Sequence, residues 1–86
     1  MAPRKAYKLP NPDIIVHVCN EAGVELGTIT VESATELKNI AAVDWRPIFL
    51  GDKLCSFRYR GYRVDPAKRD GTVEAFLWVS EAVWKR

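Results

Sequence analysis

Two residues near the start of the chain have side chains able to take part in catalysis, His17 and Cys19. They are two positions apart, so an extended strand would place them on one face, where an imidazole can activate a thiol. Such a pair needs a third group that orients the imidazole, and no carboxylate or oxyanion hole is evident nearby in the sequence. Because the only histidine lies in an apolar run, we expect both side chains to be structural and the protein not to be an enzyme.

Other site chemistries have little support in the sequence. The five glycines do not form a phosphate-binding loop, and the acidic residues do not follow a calcium-loop pattern. The only two cysteines, Cys19 and Cys55, match no metal-ligand spacing, and we expect reduced thiols rather than a disulfide. We therefore expect no metal, no cofactor and no small-molecule substrate.

Arginine and aromatic residues alternate in a segment of the second half of the chain, and two further basic residues follow in the next loop. Arginine binds phosphate bidentately and tyrosine offers a stacking face, a combination suited to single-stranded nucleic acid. The same cations would favour an acidic protein partner. Alternatively, the aromatics pack in the core while the arginines are solvated or pair with acids of neighbouring strands. The residues concerned are Arg58, Tyr59, Arg60, Tyr62, Arg63, Lys68 and Arg69.

Three tryptophans, Trp45, Trp78 and Trp84, are many for a chain of 86 residues. A small sheet cannot easily cover all of them together with three phenylalanines and three tyrosines. Exposed aromatics are enriched at the centres of protein interfaces, so a cluster near Trp78 or Trp84 would indicate a docking site or a homodimer. The alternative is that they complete the core.

Charge is distributed unevenly along the chain, although its formal net value is only +2. Residues 1–12 carry +3 and three prolines, and we expect a flexible basic arm there. Residues 13–52 carry −5, residues 53–69 carry +5, and the remainder carries −1. The basic excess therefore coincides with the arginine-rich segment.

The elements that must position these residues begin with a β-branched run, Ile14 to Cys19, that is apolar on both faces like a central strand. Turn residues follow, and a second strand is expected from Val24 to Val31. Ser33 and Glu36 fit a capping box, which predicts the start of a helix of about ten residues with Leu37 and Ile40 on its apolar face.

A hairpin from Ile48 to Val64, with Gly51-Asp52 as its two-residue turn, is the clearest pattern in the chain. Residues 65–71 form a polar loop. Residues 72–86 fit either a strand or a helix, and we expect a strand to about Ser80 followed by a short tail or helical turn.

The resulting β-β-α-β-β-β order predicts a single α+β domain over residues 13–86, with one helix on a mixed sheet of four to five strands. A first hairpin, a capped helix and then a hairpin with Phe49, Gly51, Lys53 and Leu54 resembles the ubiquitin-like β-grasp arrangement over residues 14–54. Conjugated members of that family end in Gly-Gly, whereas this chain ends in Trp-Lys-Arg, so the resemblance does not imply a covalent modifier.

The sequence thus favours a non-enzymatic interaction module that binds another protein, or itself, through the 48–64 hairpin and exposed aromatics. Nucleic-acid binding through the same arginines is the alternative. No apolar run approaches the roughly 20 residues that cross a bilayer, and no signal peptide is evident, so we expect an intracellular protein. The expected partner-binding residues are Arg58, Tyr59, Arg60, Tyr62, Arg63, Lys68, Arg69, Trp78 and Trp84.

Overall fold

The computed structural model describes residues 13–85, and the predicted basic arm, residues 1–12, lies outside them. The described chain forms five strands and one helix in the predicted order β-β-α-β-β-β. The elements are β1 (Ile14–Cys19), β2 (Glu25–Val31), α1 (Ala34–Ala41), β3 (Ile48–Leu50), β4 (Lys53–Val64) and β5 (Val73–Trp84).

All five strands belong to one mixed sheet with the order β2-β1-β5-β4-β3. The pairing of β1 with β5 is parallel, and the other three pairings are antiparallel. The first and last strands thus occupy the middle of the sheet, which explains why β1 is apolar on both faces. The predicted α+β class, with one mixed sheet and one helix, is confirmed.

Both predicted hairpins form, and a glycine with positive φ lies in each turn. Gly23, at φ 84°, closes the β1–β2 connection, and Gly51, at φ 68°, closes the β3–β4 turn. In the second turn Leu50 pairs with Lys53, so only two residues connect the strands. This short connection fixes the register of the hairpin, in which Ile48–Leu50 pairs with residues 53–55. The paired region is shorter than the predicted Ile48–Val64, because β3 has only three residues.

The helix begins directly after Ser33, as the predicted capping box indicated. The Glu36 N–H donates to the Ser33 hydroxyl over 3.2 Å, and the Glu36 carboxylate accepts from the Glu32 N–H, one residue before the partner expected in a capping box. The helix has eight residues rather than about ten. Leu37 and Ile40 are buried, as expected, and attach the helix to the sheet.

The expectation that β5 ends near Ser80 is wrong, because the strand continues to Trp84. Strand β4 has twelve residues and offers partners beyond that point, with Ser56 opposite Val83 and Cys55 opposite Trp84. The register shifts between the pair Arg58–Ser80 and the pair Ser56–Val83. Glu81, at this shift, adopts a φ of 57°. A bulge therefore lets the strand turn and remain paired.

The core lies between the helix and the inner face of a strongly curved sheet. The edge strands β2 and β3 approach each other so closely that a Cβ on Gly27 would lie 3.0 Å from the Leu50 Cβ. The sheet is thus nearly closed. The largest fully buried side chains are Phe57, Leu37, Leu77, Val16, Val18, Val31, Val79 and Cys55.

Candidate functional site

His17 is held between two carboxylates from the strands on either side of it. Its Nδ1 lies 2.8 Å from Glu25 of β2, and its Nε2 lies 2.8 Å from Glu74 of β5. Lys68 donates to the other oxygen of Glu74. The expectation that no carboxylate orients His17 is therefore wrong. The two acids reach the imidazole from neighbouring strands.

The hydrogen bond to Glu74 is the main cause that raises the pKa of His17 above its usual 6.5; partial burial opposes it, and the bond to Glu25 adds to it. Carboxylate oxygens engage both ring nitrogens, so neither nitrogen is free to accept a proton from the Cys19 thiol. The thiol of Cys19 contacts the carbonyl of His17, at 3.9 Å, and burial raises its pKa away from the thiolate range. This arrangement does not assemble a Cys-His nucleophile.

The two cysteines are free and buried. Burial also raises the pKa of Cys55. Among residues 13–85, no group of three or more His, Cys, Asp or Glu side chains is placed to hold a metal ion.

Three of the five predicted basic residues contact an acid. Arg58 lies 3.7 Å from Asp44 and 3.5 Å from Glu81. Arg63 lies 2.9 Å from Asp65, and Lys68 pairs with Glu74 as described. Arg60 and Arg69 are exposed and form no ion pair with any residue of the described chain.

Tyr59 lies in the core rather than on the surface, with 8% of its side chain exposed. Its hydroxyl donates to the Arg46 carbonyl over 3.1 Å, and burial raises its pKa to about 12. The arginine–aromatic alternation is interrupted immediately afterwards. Tyr59 pairs with Val79 and Gly61 pairs with Trp78, which leaves Arg60 in a bulge, and Tyr62 is exposed.

An apolar groove lies beside the β3–β4 turn. We name it the hairpin groove; its volume is about 690 Å³, and Phe49, Asp52, Lys53, Leu54, Trp84 and Lys85 line it. Phe49 is 64% exposed and Trp84 is 43% exposed. Trp84 is among the predicted partner-binding residues, whereas Phe49 is not. Strand alternation could have indicated Phe49, because it lies on the opposite face from its buried or partly buried neighbours Ile48 and Leu50.

A second group of aromatic residues lies on the face of the sheet opposite the helix. The rings of His17 and Phe76 stack at 5.1 Å between centroids, and Phe76 stacks on Trp78 at 6.2 Å. The Arg63 guanidinium lies 4.9 Å from the Phe76 ring and 5.6 Å from the Trp78 ring. We name these four residues the aromatic row. It joins two predicted site residues, Arg63 and Trp78, to two that were not selected.

Trp45 is exposed and is the residue of the α1–β3 connection with positive φ, at 66°. The backbone N–H of Trp45 donates to the Phe57 carbonyl over 2.6 Å, and the Asp44 carboxylate accepts from the backbone N–H of Tyr59. These bonds hold the connection against the edge of β4, next to the segment where β3 begins. The structure therefore exposes two of the three tryptophans, Trp45 and Trp84, and partly buries Trp78.

Comparison with known proteins gives no relative to guide the interpretation: no protein-family model, curated protein or solved structure matches this chain. Within residues 13–85, none of the helical structure has the length and apolar character needed to cross a bilayer.

Proposed function

We propose that this protein is a small non-enzymatic interaction module that binds another protein through the hairpin groove. The supporting observation is that Phe49, Leu54 and Trp84, from three different strands, line one open apolar cavity. Single exposed apolar residues are ordinary on protein surfaces, whereas a concave cluster of this kind is typical of a binding site.

The groove is preorganised for binding. The Lys85 N–H donates to the Leu54 carbonyl over 2.9 Å, which fixes the end of β5 against β4. Trp84 also pairs in register with Cys55, and Phe49 pairs with Leu54. Because the backbone under the aromatic side chains is already ordered, little conformational entropy is lost when a partner binds. Full burial of an apolar side chain contributes about 1.5–3 kcal/mol.

The charges at the groove favour an acidic partner. Lys53 and Lys85 line the groove together with a single acid, Asp52. The expected ligand is a protein segment that inserts an apolar side chain between Phe49 and Trp84 and places carboxylates near the two lysines. A second copy of the chain is the other occupant to be tested.

We also propose that the domain is β-grasp-like. Parallel pairing of the first and last strands at the centre of the sheet, with the helix packed on one face, supports this proposal. This proposal concerns the fold alone. The binding proposal rests separately on the groove, which the second hairpin and the end of β5 form.

The proposed function is tested by selecting peptides from a random displayed library on the immobilised full chain. We expect selected sequences to share an aromatic or branched apolar residue flanked by Asp or Glu. Phe49→Ala and Trp84→Ala should each weaken binding of a selected peptide about thirty-fold or more, since truncating an interface hot spot costs about 2 kcal/mol or more.

Val24 provides a matched control, because it is as exposed as the groove residues but lies at the β1–β2 turn. Val24→Ala should leave affinity unchanged. Lys53→Glu with Lys85→Glu should reverse the preference for acidic flanks, and size-exclusion chromatography over a range of concentrations tests self-association. A monomer that selects no common sequence, or peptide affinities insensitive to both groove substitutions, would contradict the proposal.

Single-stranded nucleic-acid binding is a second candidate function, and the aromatic row is the observation that favours it. Arg63 lies beside two ring systems, and Arg60, three residues earlier in β4, forms no ion pair within the described chain. Combined substitution of Arg58, Arg60 and Arg63 by Ala should abolish retention on single-stranded DNA and RNA at low salt. Unchanged retention, or none in the original protein, would exclude this function.

A further inference from the structure

The surface of the sheet is open beside Trp78 because its partner in the neighbouring strand is a glycine. Gly61 pairs with Trp78 in register. Apart from Gly61 and its chain neighbours Arg60 and Tyr62, no heavy atom of the described residues lies within 4 Å of the position that a Cβ would occupy on Gly61. The φ angle of Gly61 is not in the left-handed region, unlike those of Gly23, Gly51 and Gly71. Neither backbone conformation nor crowding therefore requires glycine at this position.

The indole of Trp78 does not fill this space. Residues paired across antiparallel strands project from the same face and normally contact each other, and an aromatic residue opposite a glycine often folds over it. Here the Trp78 side chain stays more than 4 Å from the Gly61 Cβ position. Instead, the Trp78 ring lies beside the Phe76 ring, at 6.2 Å between centroids, and its centroid is 5.6 Å from the Arg63 guanidinium. The space above Gly61, on the face of the sheet that this glycine shares with Trp78, is open, and we name it the Gly61 slot.

The ionic surroundings of the slot suit an anionic ligand. Arg60 lies in the bulge directly before Gly61 and forms no ion pair with the described residues, and Arg63 follows two positions later. The nearby carboxylates are already engaged: Asp65 contacts Arg63, and Glu74 contacts both His17 and Lys68. A ligand that combines a flat ring with a phosphate would place the ring on Trp78 and the phosphate near the two arginines.

We propose that the Gly61 slot is a stacking site for one nucleobase of a single-stranded nucleic acid. This inference rests on the second candidate function. The base lies against the Trp78 indole, in a space that glycine leaves open, and Arg60 and Arg63 bind the adjoining phosphates. Every base has a π face, so the slot is tolerant of sequence.

The inference is tested by fluorescence anisotropy with labelled single-stranded DNA and RNA oligonucleotides and the full-length chain at low salt. Gly61→Leu fills the slot, and a leucine on the same face at exposed Thr28 is the matched control. We expect Gly61→Leu to weaken binding about ten-fold and Thr28→Leu to leave it unchanged, since stacking of one base contributes about that much.

An abasic oligonucleotide, which has the phosphates but no bases, gives a test that requires no variant. It should bind about ten-fold more weakly than the intact oligonucleotide. A chain with Trp45→Phe and Trp84→Phe leaves Trp78 as the only indole, and its fluorescence should be quenched on binding.

Two results would overturn the inference. If Gly61→Leu and the abasic oligonucleotide bind like the originals, the arginines alone bind the phosphates, and nucleic-acid binding stands without the slot. If no oligonucleotide binds even at low salt, the second candidate function and the slot are both excluded.

Discussion

At the scale of single residues, His17 connects three strands through its side chain. Its two nitrogens bond to Glu25 of β2 and Glu74 of β5, while the residue itself lies in β1. Lys68 extends the network from the loop before β5. The histidine therefore joins neighbouring strands through their outer face, in addition to the backbone ladders.

This network predicts a stability that depends on pH. The pKa of His17 is raised in the folded chain, chiefly by the bond to Glu74, so its stabilisation is complete below about pH 6.5 and is lost as pH rises through the folded-state pKa. Lys68 and then His17 lower the pKa of Glu74, so the contribution of Glu74 is lost as pH falls below about 4.5.

The measurement is urea unfolding of the original chain and of His17→Gln at about pH 5.5 and about pH 8.5. The loss of unfolding free energy caused by His17→Gln should be larger at the lower pH. A loss of equal size at both values would show that the imidazole does not gain a proton-dependent interaction on folding.

At the scale of elements, β5 shows how a bulge extends a strand past a position that sequence reasoning treated as its end. Glu81 adopts a φ of 57°, which costs about 1–2 kcal/mol for a residue with a Cβ. Its carboxylate contacts Arg58, but that pair is exposed and contributes little. The conformation is maintained by the pairing of Val83 and Trp84 beyond it.

The effect of a substitution at Glu81 on stability should therefore depend on how well the new residue adopts a positive φ, and little on the loss of the carboxylate. We expect Glu81→Gly to be at least about 1 kcal/mol more stable than Glu81→Val, because a β-branched residue is strongly disfavoured at positive φ. At Thr30, an exposed position of β2, the order should be reversed, with valine better than glycine. Thermal unfolding of the four variants checks this, and the same order at both sites would contradict it.

At the scale of the whole molecule, the near closure of the sheet depends on the contact of its two edges. The backbone of Gly27 in β2 faces the Leu50 side chain of β3, and an added Cβ would make a tight contact there, 3.0 Å from the Leu50 Cβ. The contact shields the two edges, which would otherwise be open to pairing with another chain.

Gly27→Ala should destabilise the fold by about 1–3 kcal/mol, because a methyl group at 3.0 Å from the Leu50 Cβ requires Leu50 to shift by a few tenths of an ångström within the core. Gly61→Ala is the matched control, since its added methyl meets open space and should change stability little. Chemical unfolding distinguishes the two, and equal stabilities would show that the edges adjust without cost.

Local chemistry made much of this fold predictable. The β-branched run of β1, the Ser33 cap and the Gly51-Asp52 turn each specify their element with few neighbouring residues. The site was less predictable because it depends on pairing over long sequence distances. Only the register of β1 with β5 brings His17 to Phe76 and Glu74, and no local pattern indicates that register.

The position of β5 also determines how the chain can fold. This last strand separates the β1–β2 hairpin from the β3–β4 hairpin, and it pairs with both. Its contacts with β1 join residues about 60 positions apart, for example His17 and Phe76, which gives the domain a high contact order. Neither hairpin has its full set of partners until Val73–Trp84 has been synthesised, so productive folding on the ribosome must wait for the C-terminal strand, and removal of that strand would divide the sheet in two.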